Sequence, residues 1–93
     1  MPNTDETYEH ACNGAWEPIA GSGRVFLENL ARGATLNWAI AGAAGPGAQR
    51  GYSLPPAHGA RSGAEGLIVP AGKLLWIRGA AGDAVAVTAE TLP

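Results

Sequence analysis

LIVPAGKLLWIRGAAGDAVAVTAE, which runs from Leu67 to Glu90, carries the clearest structural signal in the chain. It contains three short apolar runs. Two turn-like segments lie between them, VPAG at residues 69–72 and AAGD at residues 80–83. Pro at the second position of such a segment and Gly near its end favour a tight reversal. The pattern predicts a meander in which residues 67–69 pair with 74–77, and Val85 and Val87 return against Leu75 and Ile77.

The same pattern extends over the chain from Trp16 onward. Gly or Pro interrupts short apolar runs there about every eight to twelve residues. In ATLNWAIA, residues 34–41, large apolar residues alternate with small or polar ones, as in a strand with one buried face. Residues 16–93 are therefore predicted to form an all-β domain, a small antiparallel β-sandwich or barrel. The predicted core consists of Val25, Leu27, Leu36, Trp38, Ile40, Leu67, Val69, Leu75, Ile77, Val85 and Val87.

Residues 1–15 differ from the rest, because they are polar and follow neither a helical nor a strand period. No Lys or Arg accompanies Asp5, Glu6 and Glu9 in this segment. We predict an extended or flexible N-terminal arm that is either disordered or laid across a neighbouring molecule. Tyr8 is the side chain in it that could anchor such a contact.

The composition predicts a thin core. Of the 93 residues 46% are apolar, but Ala is the commonest of these, and the chain has three Trp and one Phe. A domain of this length buries only about 60 to 65% of the surface that its unfolded chain exposes. Its single cysteine, Cys12, excludes an internal disulfide, so we expect oligomerisation or docking on a larger assembly to supply burial. Phe26, Leu74 and Trp76, on strand faces opposite the predicted core, are the candidates for a subunit contact.

Charge and hydropathy exclude two classes of partner. The formal net charge is −2 and the basic residues are scattered, so no basic stripe indicates nucleic-acid binding. The first residues lack the basic and apolar regions of a signal peptide, and no apolar run approaches the roughly eighteen residues of a membrane span. We expect a soluble protein, and the lone cysteine favours a reducing cytoplasm or a protein indifferent to compartment.

The glycine-rich stretch AIAGAAGPGAQRGYSLPP, residues 39–56, invites comparison with phosphate-binding loops. A P-loop requires Lys and Ser or Thr after its last glycine, whereas Ala48 and Gln49 stand there. A dinucleotide fingerprint requires a third glycine where Arg50 stands, and it also opens a helix. The stretch is therefore predicted to be a flexible connection between strands, with an exposed Arg50 that could contact a partner.

The residues that could bind a metal or act in catalysis do not stand at the spacings of a known kind of site. A metal site would use His10, Cys12 and His58, but no second ligand pair stands at a metal-binding spacing. A nucleophilic cysteine needs a preorganised electropositive pocket, whereas Cys12 lies in the acidic segment. The other candidates are interpreted as turn or strand-end residues: Ser22, Ser53, Ser62, Glu28, Glu65 and Glu90. We predict a protein that is not an enzyme, with no catalytic, metal-binding or cofactor-binding residues.

The three tryptophans have different expected places. Trp38 lies in the apolar alternation and is assigned to the core. Trp76 is assigned to a subunit interface or to the core, and stacking on a ligand stays open for it. Trp16 stands where the arm meets the domain and is expected to anchor that junction.

The strand sequences also occur in a recognisable order: WEPI, VFLENL, LNWAIA with its Gly/Pro loop, GYSLPP, and LLWIRGAAGDAVAVTAE. This order, over residues 16–90, resembles the small all-β virion proteins of tailed bacteriophages and prophages. The most characteristic part is Leu75-Trp76-Ile77-Arg78, a strand end that leads into a short Gly-containing turn and a Val-rich strand.

The resemblance implies a capsid decoration (cement) protein that stabilises the head, or another small head or tail component. It implies a homo-oligomer, with a trimer expected, and a major capsid protein or other virion protein as partner. The protein would be made in the host bacterial cytoplasm and end in the virion. From the composition of the arm we expect residues 3–15 to bind the capsid surface or a neighbouring subunit. A different class of function is a carbohydrate- or receptor-binding β module of a tail or fibre, with exposed aromatics such as Trp76 lining a groove.

Overall fold

The computed structural model describes residues 3–31, 33–55, 59–60 and 67–91. Strands are the regular secondary structure in these ranges. In chain order they are β1 (Thr7–Ala11), β2 (Glu17–Ala20), β3 (Gly23–Asn29), β4 (Leu36–Ala41), β5 (Tyr52–Leu54), β6 (Gly59–Ala60), β7 (Leu67–Val69), β8 (Leu74–Arg78) and β9 (Ala84–Glu90). A search of the same ranges for helices able to span a bilayer found none.

Two antiparallel sheets make up the fold. In the first sheet the strands follow the order β1, β9, β3, and both β6 and β7 pair with the remaining edge of β3. The second sheet has the order β2, β8, β4, β5. Side chains from both sheets form one apolar cluster between them. The predicted small antiparallel β-sandwich is therefore confirmed.

The core follows the alternation along the strands, as in β9, where every second residue is buried. The predicted core residues that are buried are Val25, Leu27, Leu36, Val69, Leu75, Ile77, Val85 and Val87. Trp38, Ile40 and Leu67 are partly buried and pack against this core. The core also contains residues that the alternation did not indicate: Cys12, Ile19, Ala20, Leu54 and Ala89.

The pairing predicted for the last three strands is wrong. β7 pairs with β3, and β9 pairs with β1 and β3, whereas β8 lies in the other sheet between β2 and β4. Both predicted turns do form, with hydrogen bonds from the Lys73 amide to the Pro70 carbonyl (3.2 Å) and from the Asp83 amide to the Ala80 carbonyl (3.0 Å). A tight turn reverses the chain but does not fix the hydrogen-bond partner of the next strand. Each turn here carries the chain from one sheet to the other.

The N-terminal segment belongs to the sandwich from residue 3 onward. β1 runs antiparallel along the edge of β9. The Asn3 side chain donates to the carbonyls of Ser22 (2.9 Å) and Glu90 (3.1 Å). Over residues 3–15 the structure thus differs from the interpretation of this segment as a disordered arm or one laid across a neighbour. Hydrogen bonds from the main chain and from Asn3 hold most of the segment, and such bonds leave no apolar period in the sequence.

A buried polar side chain joins the two sheets. Asn29, at the end of β3 in the first sheet, is only 2% exposed. Its amide donates to the carbonyl of Leu54 in β5 of the second sheet (2.9 Å) and to that of Ala34 (2.7 Å), and its oxygen accepts from the Ala31 amide (2.7 Å). Because these partners satisfy the buried amide, it fixes how the sheets are placed without an unpaired polar group.

Candidate functional site

The outer face of the first sheet carries three cross-strand rows of side chains, which we call the open face. The rows are Ile68, Arg24 and Glu90, then Phe26, Thr88 and Thr7, and then Glu28, Ala86 and Glu9. Their chain neighbours on β3 and β9 are buried, so these side chains point away from the core. In the central row the hydroxyls of Thr7 and Thr88 lie 2.7 Å apart, within hydrogen-bond distance.

Phe26 and Ile68 are the large apolar side chains of the open face. They lie on neighbouring strands two positions apart in register, a diagonal that side chains of this size can bridge. Ile68 is 53% exposed and Phe26 is partly exposed. Phe26 was an expected subunit contact, and the structure places it on a surface. Ile68 was not among the expected contacts, although its place between the predicted core residues Leu67 and Val69 indicates the outer face.

Charge differs between the two ends of the open face. At one end the Arg24 guanidinium and the Glu90 carboxylate lie 3.9 Å apart. At the other end Glu28 and Glu9 flank a small alanine, and the described residues of that row include no cation. One end is therefore acidic, while the other offers a cation together with an anion.

The outer face of the second sheet, which we call the covered face, is built differently. Trp76 of β8 lies between Pro18 of β2 and Ala39 of β4. Only 9% of Trp76 is exposed, and Leu74 on the same face is partly buried. Of the two places expected for Trp76, a subunit interface or the core, burial by its own chain agrees with the core.

The cover is the connection between β4 and β5, residues 42–51, which we call the glycine loop. Gly45 lies so close to the Trp76 indole that a Cβ there would stand 3.4 Å from the ring. Gly51, with a φ of +76°, passes the Trp16 indole, which an added Cβ would approach to 2.9 Å. Glycine adopts positive φ without strain and lets the main chain approach a ring closely. The glycine loop joins two strands, as predicted, and also covers two tryptophans.

Trp16, expected where the arm meets the domain, packs beneath this loop and beneath Arg78. The Arg78 guanidinium carbon lies 4.7 Å from the centre of the indole ring, a cation–π contact. The indole N–H groups of Trp16 and Trp76 are buried, and no acceptor for them lies in the described part of the chain. Burying such a donor costs about 1–3 kcal/mol. Apolar packing of the two rings must outweigh that cost.

A second exposed feature lies where β4 pairs with β5. Trp38 and Tyr52 are directly opposite in register, and their rings stack with centroids 4.8 Å apart and planes inclined by 29°. Tyr52 is 67% exposed. The two residues border a cleft of about 400 Å³, the aromatic cleft, which is also lined by Ala39, Ile40, Gln49 and Gly51. Trp38 thus lies at the margin of the core rather than inside it.

The edge formed by β1 and β2 is closed by polar contacts between the two sheets. The Tyr8 hydroxyl donates to the Ile19 carbonyl, and His10 Nε2 lies 2.9 Å from Glu17 Oε1. Burial raises the pKa of Tyr8. A cavity of about 290 Å³ adjoins these groups. Tyr8, expected to anchor an arm on a neighbour, anchors β1 to β2 of its own chain.

Cys12 is 4% exposed and lies in the core, not in a mobile arm. Its amide donates to the Asp83 carbonyl over 2.7 Å, which ties the segment to the turn before β9. Burial, and then the carboxylates of Glu17 and Asp83, raise the pKa of the Cys12 thiol. A raised pKa keeps the thiol protonated at neutral pH, which is the opposite of what a nucleophile needs.

The remaining candidates lie apart from one another. Within the described ranges no three His, Cys, Asp or Glu side chains stand close enough together to hold a metal ion. Ser22 and Ser53 are exposed, and Glu28 and Glu90 lie on the open face. The other predicted candidates fall outside the described residues: His58, Ser62 and Glu65.

Comparisons with known proteins returned no match from family models, from curated proteins or from solved structures. The resemblance to virion proteins therefore stays a prediction. The open face and the aromatic cleft are the surfaces from which a function can be argued.

Proposed function

We propose that this chain is a non-enzymatic structural protein of a bacteriophage virion, a capsid decoration protein that stabilises the head as a homotrimer. The main support for the proposal is the open face, where Phe26 and Ile68 point outward. No described segment covers them as the glycine loop covers Trp76. Exposed, adjoining apolar side chains on a small domain mark interaction sites. The resemblance over residues 16–90 supplies the virion context and the major capsid protein as the second partner.

A second copy of the chain suits the open face. Its central row is made of Phe26 and two threonines, which lets another surface approach closely. A head-to-tail contact would bring the Arg24 end of one copy to the acidic end, with Glu28 and Glu9, of the next. Head-to-tail contacts close into rings when the rotation permits, and a trimer is such a ring.

The proposal assigns no chemical step to the protein. Among its polar groups, the Tyr8 hydroxyl and the Glu17 carboxylate are engaged by neighbours in the same chain. The Cys12 thiol is buried and its pKa is raised. No nucleic acid or membrane is part of the proposed assembly, and the expected location is the virion.

Size-exclusion chromatography with light scattering on the full chain tests the proposal. We expect a mass near three times that of the 9.4 kDa chain. Phe26→Asp should reduce that mass to one chain with an unchanged circular dichroism spectrum, because it places a charge in the contact. Ala44→Asp, at an exposed position of the glycine loop, is the matched control and should stay trimeric. A wild-type protein that remains a folded monomer at high concentration would contradict the proposal.

The carbohydrate- or receptor-binding module is the second candidate, and one observation favours it. Its predicted aromatic, Trp76, is buried, but the exposed Tyr52 and its partner Trp38 form an aromatic surface elsewhere. This candidate is compatible with a place in a virion, because the aromatic cleft and the open face belong to different sheets.

A further inference from the structure

We propose that the aromatic cleft binds a neutral sugar ring of a polysaccharide, with the ring stacked on Tyr52. The inference rests on the cleft alone and not on the assembly role of the open face. The cleft, about 400 Å³, lies in the range of about 300–1,000 Å³ that ligand pockets occupy.

The stacking surface is prepared before any ligand arrives. One side of the Tyr52 ring rests on Trp38, with centroids 4.8 Å apart, and 67% of Tyr52 is nevertheless exposed. The opposite side of the ring is thus presented outward. Because Trp38 already holds the ring, little side-chain freedom is lost when a ligand binds.

The main chain below Tyr52 is also held in place. Gly51 has a φ of +76°, and a Cβ there would lie 2.5 Å from the Trp38 carbonyl oxygen. The close approach of Gly51 to the main chain of β4 sets the position from which the Tyr52 side chain leaves the main chain. The aromatic pair is therefore fixed by main-chain packing as well as by stacking.

The polar groups of the cleft suit hydroxyls rather than charges. Gln49 contributes an amide, which can both donate and accept, and Tyr52 contributes a hydroxyl. The lining residues carry no charge. A sugar ring offers C–H groups to an aromatic face and hydroxyls at its rim, which matches this combination.

A nucleobase also stacks on aromatic rings, but it brings phosphates with it. Single-stranded nucleic acids are bound where cations follow the backbone beside the aromatics. Among the described residues the lining of the aromatic cleft includes no cation, a single exposed arginine, Arg50, stands next to it in the sequence, and the chain has a net charge of −2. These charges favour the neutral sugar.

Titration of the full chain with maltohexaose, cellohexaose and chitohexaose, followed by tryptophan fluorescence and by NMR, tests the proposal. We expect saturable binding of at least one of the three. Tyr52→Ala should weaken it about tenfold or more, because the stacking ring is lost, while Tyr52→Phe should stay within about threefold of wild type. Tyr52→Phe keeps the ring on Trp38 and should keep the wild-type melting temperature, and Tyr52→Ala, at a largely exposed position, should still fold.

Phe26→Ser on the open face is the matched control and should leave the sugar affinity unchanged. If none of the three oligosaccharides binds, or if Tyr52→Ala binds them as tightly as wild type, the proposal is overturned. Binding of hexathymidylate in preference to all three sugars would overturn it as well. Since Phe26→Ser changes the assembly and Tyr52→Ala changes the sugar site, failure of one proposal is distinguishable from failure of the other.

Discussion

The two outer faces of the sandwich differ in how far their large apolar side chains are shielded from water. On the second sheet the glycine loop lies over Trp76, which is only 9% exposed, and it also packs against Trp16. On the first sheet Phe26 and Ile68 have no such loop above them in the described part of the chain, and Ile68 is 53% exposed. One face is thus completed by its own chain, while the other offers a surface that a partner can complete.

The difference shows that the exposure of an outward-facing side chain depends on the loops between strands as much as on its position in a strand. Trp76 and Phe26 both stand on a face opposite the core, and alternation treats them alike. Trp76 is buried because a ten-residue connection, residues 42–51, has glycines where the main chain must touch an indole. Phe26 is partly exposed, and no comparable connection covers it in the described part of the chain.

The largest expected loss of stability comes from removing the Trp76 side chain of the covered face. Trp76→Ala should lower the free energy of unfolding by about 3–5 kcal/mol, because it leaves a cavity beneath the glycine loop. Phe26→Ala, the matched change on the open face, should cost about 1 kcal/mol or less in dilute, monomeric protein, because little packing is lost. Urea unfolding at low protein concentration measures both. Equal losses for the two variants would show that the faces do not differ.

A smaller effect is expected from the glycines of the cover. Gly51 and Gly47 both have positive φ, but an added Cβ would meet Trp16 and the Trp38 carbonyl at Gly51 and open space at Gly47. Ala substitution at either position should cost about 1 kcal/mol from the backbone conformation, and Gly51→Ala should cost about 1–3 kcal/mol more from overpacking. Thermal unfolding of the two variants compares them directly. Similar melting temperatures would mean that Gly51 is not packed against Trp16 and the Trp38 main chain.

Much of the fold could be predicted because its strands have one buried face. The alternation in β9, where Val85 and Val87 are buried, is visible in the sequence, as is that of Leu75 and Ile77 in β8. Turn residues also predicted where the chain reverses, at Pro70 and before Asp83. Alternation and turn residues depend only on residues close together in the sequence, so a residue pattern can predict them.

Strand partners were not predictable in the same way. Whether β7 pairs with β8 or with β3 depends on packing between residues far apart in sequence. The same holds for the N-terminal segment, where β9 supplies the hydrogen bonds and Asn3 reaches Glu90. Polar segments that complete a sheet edge carry no apolar signal of their own.

The surfaces were predictable only in part. Phe26 could be assigned to an outer face from the alternation with Val25 and Leu27. The aromatic cleft could not, because the stacking of Trp38 on Tyr52 depends on the register between β4 and β5 across the glycine loop. A single sequence does not specify that register.

Carbene footprinting of the wild-type protein, read by mass spectrometry in dilute and in concentrated samples, compares the two faces most directly. Labelling of Phe26 and Ile68 should fall several-fold when the chains associate, while labelling of residues 42–51 should stay constant. Protection that appears over residues 42–51 instead, with Phe26 and Ile68 labelled equally in both samples, would contradict the assignment of the open face as the association surface.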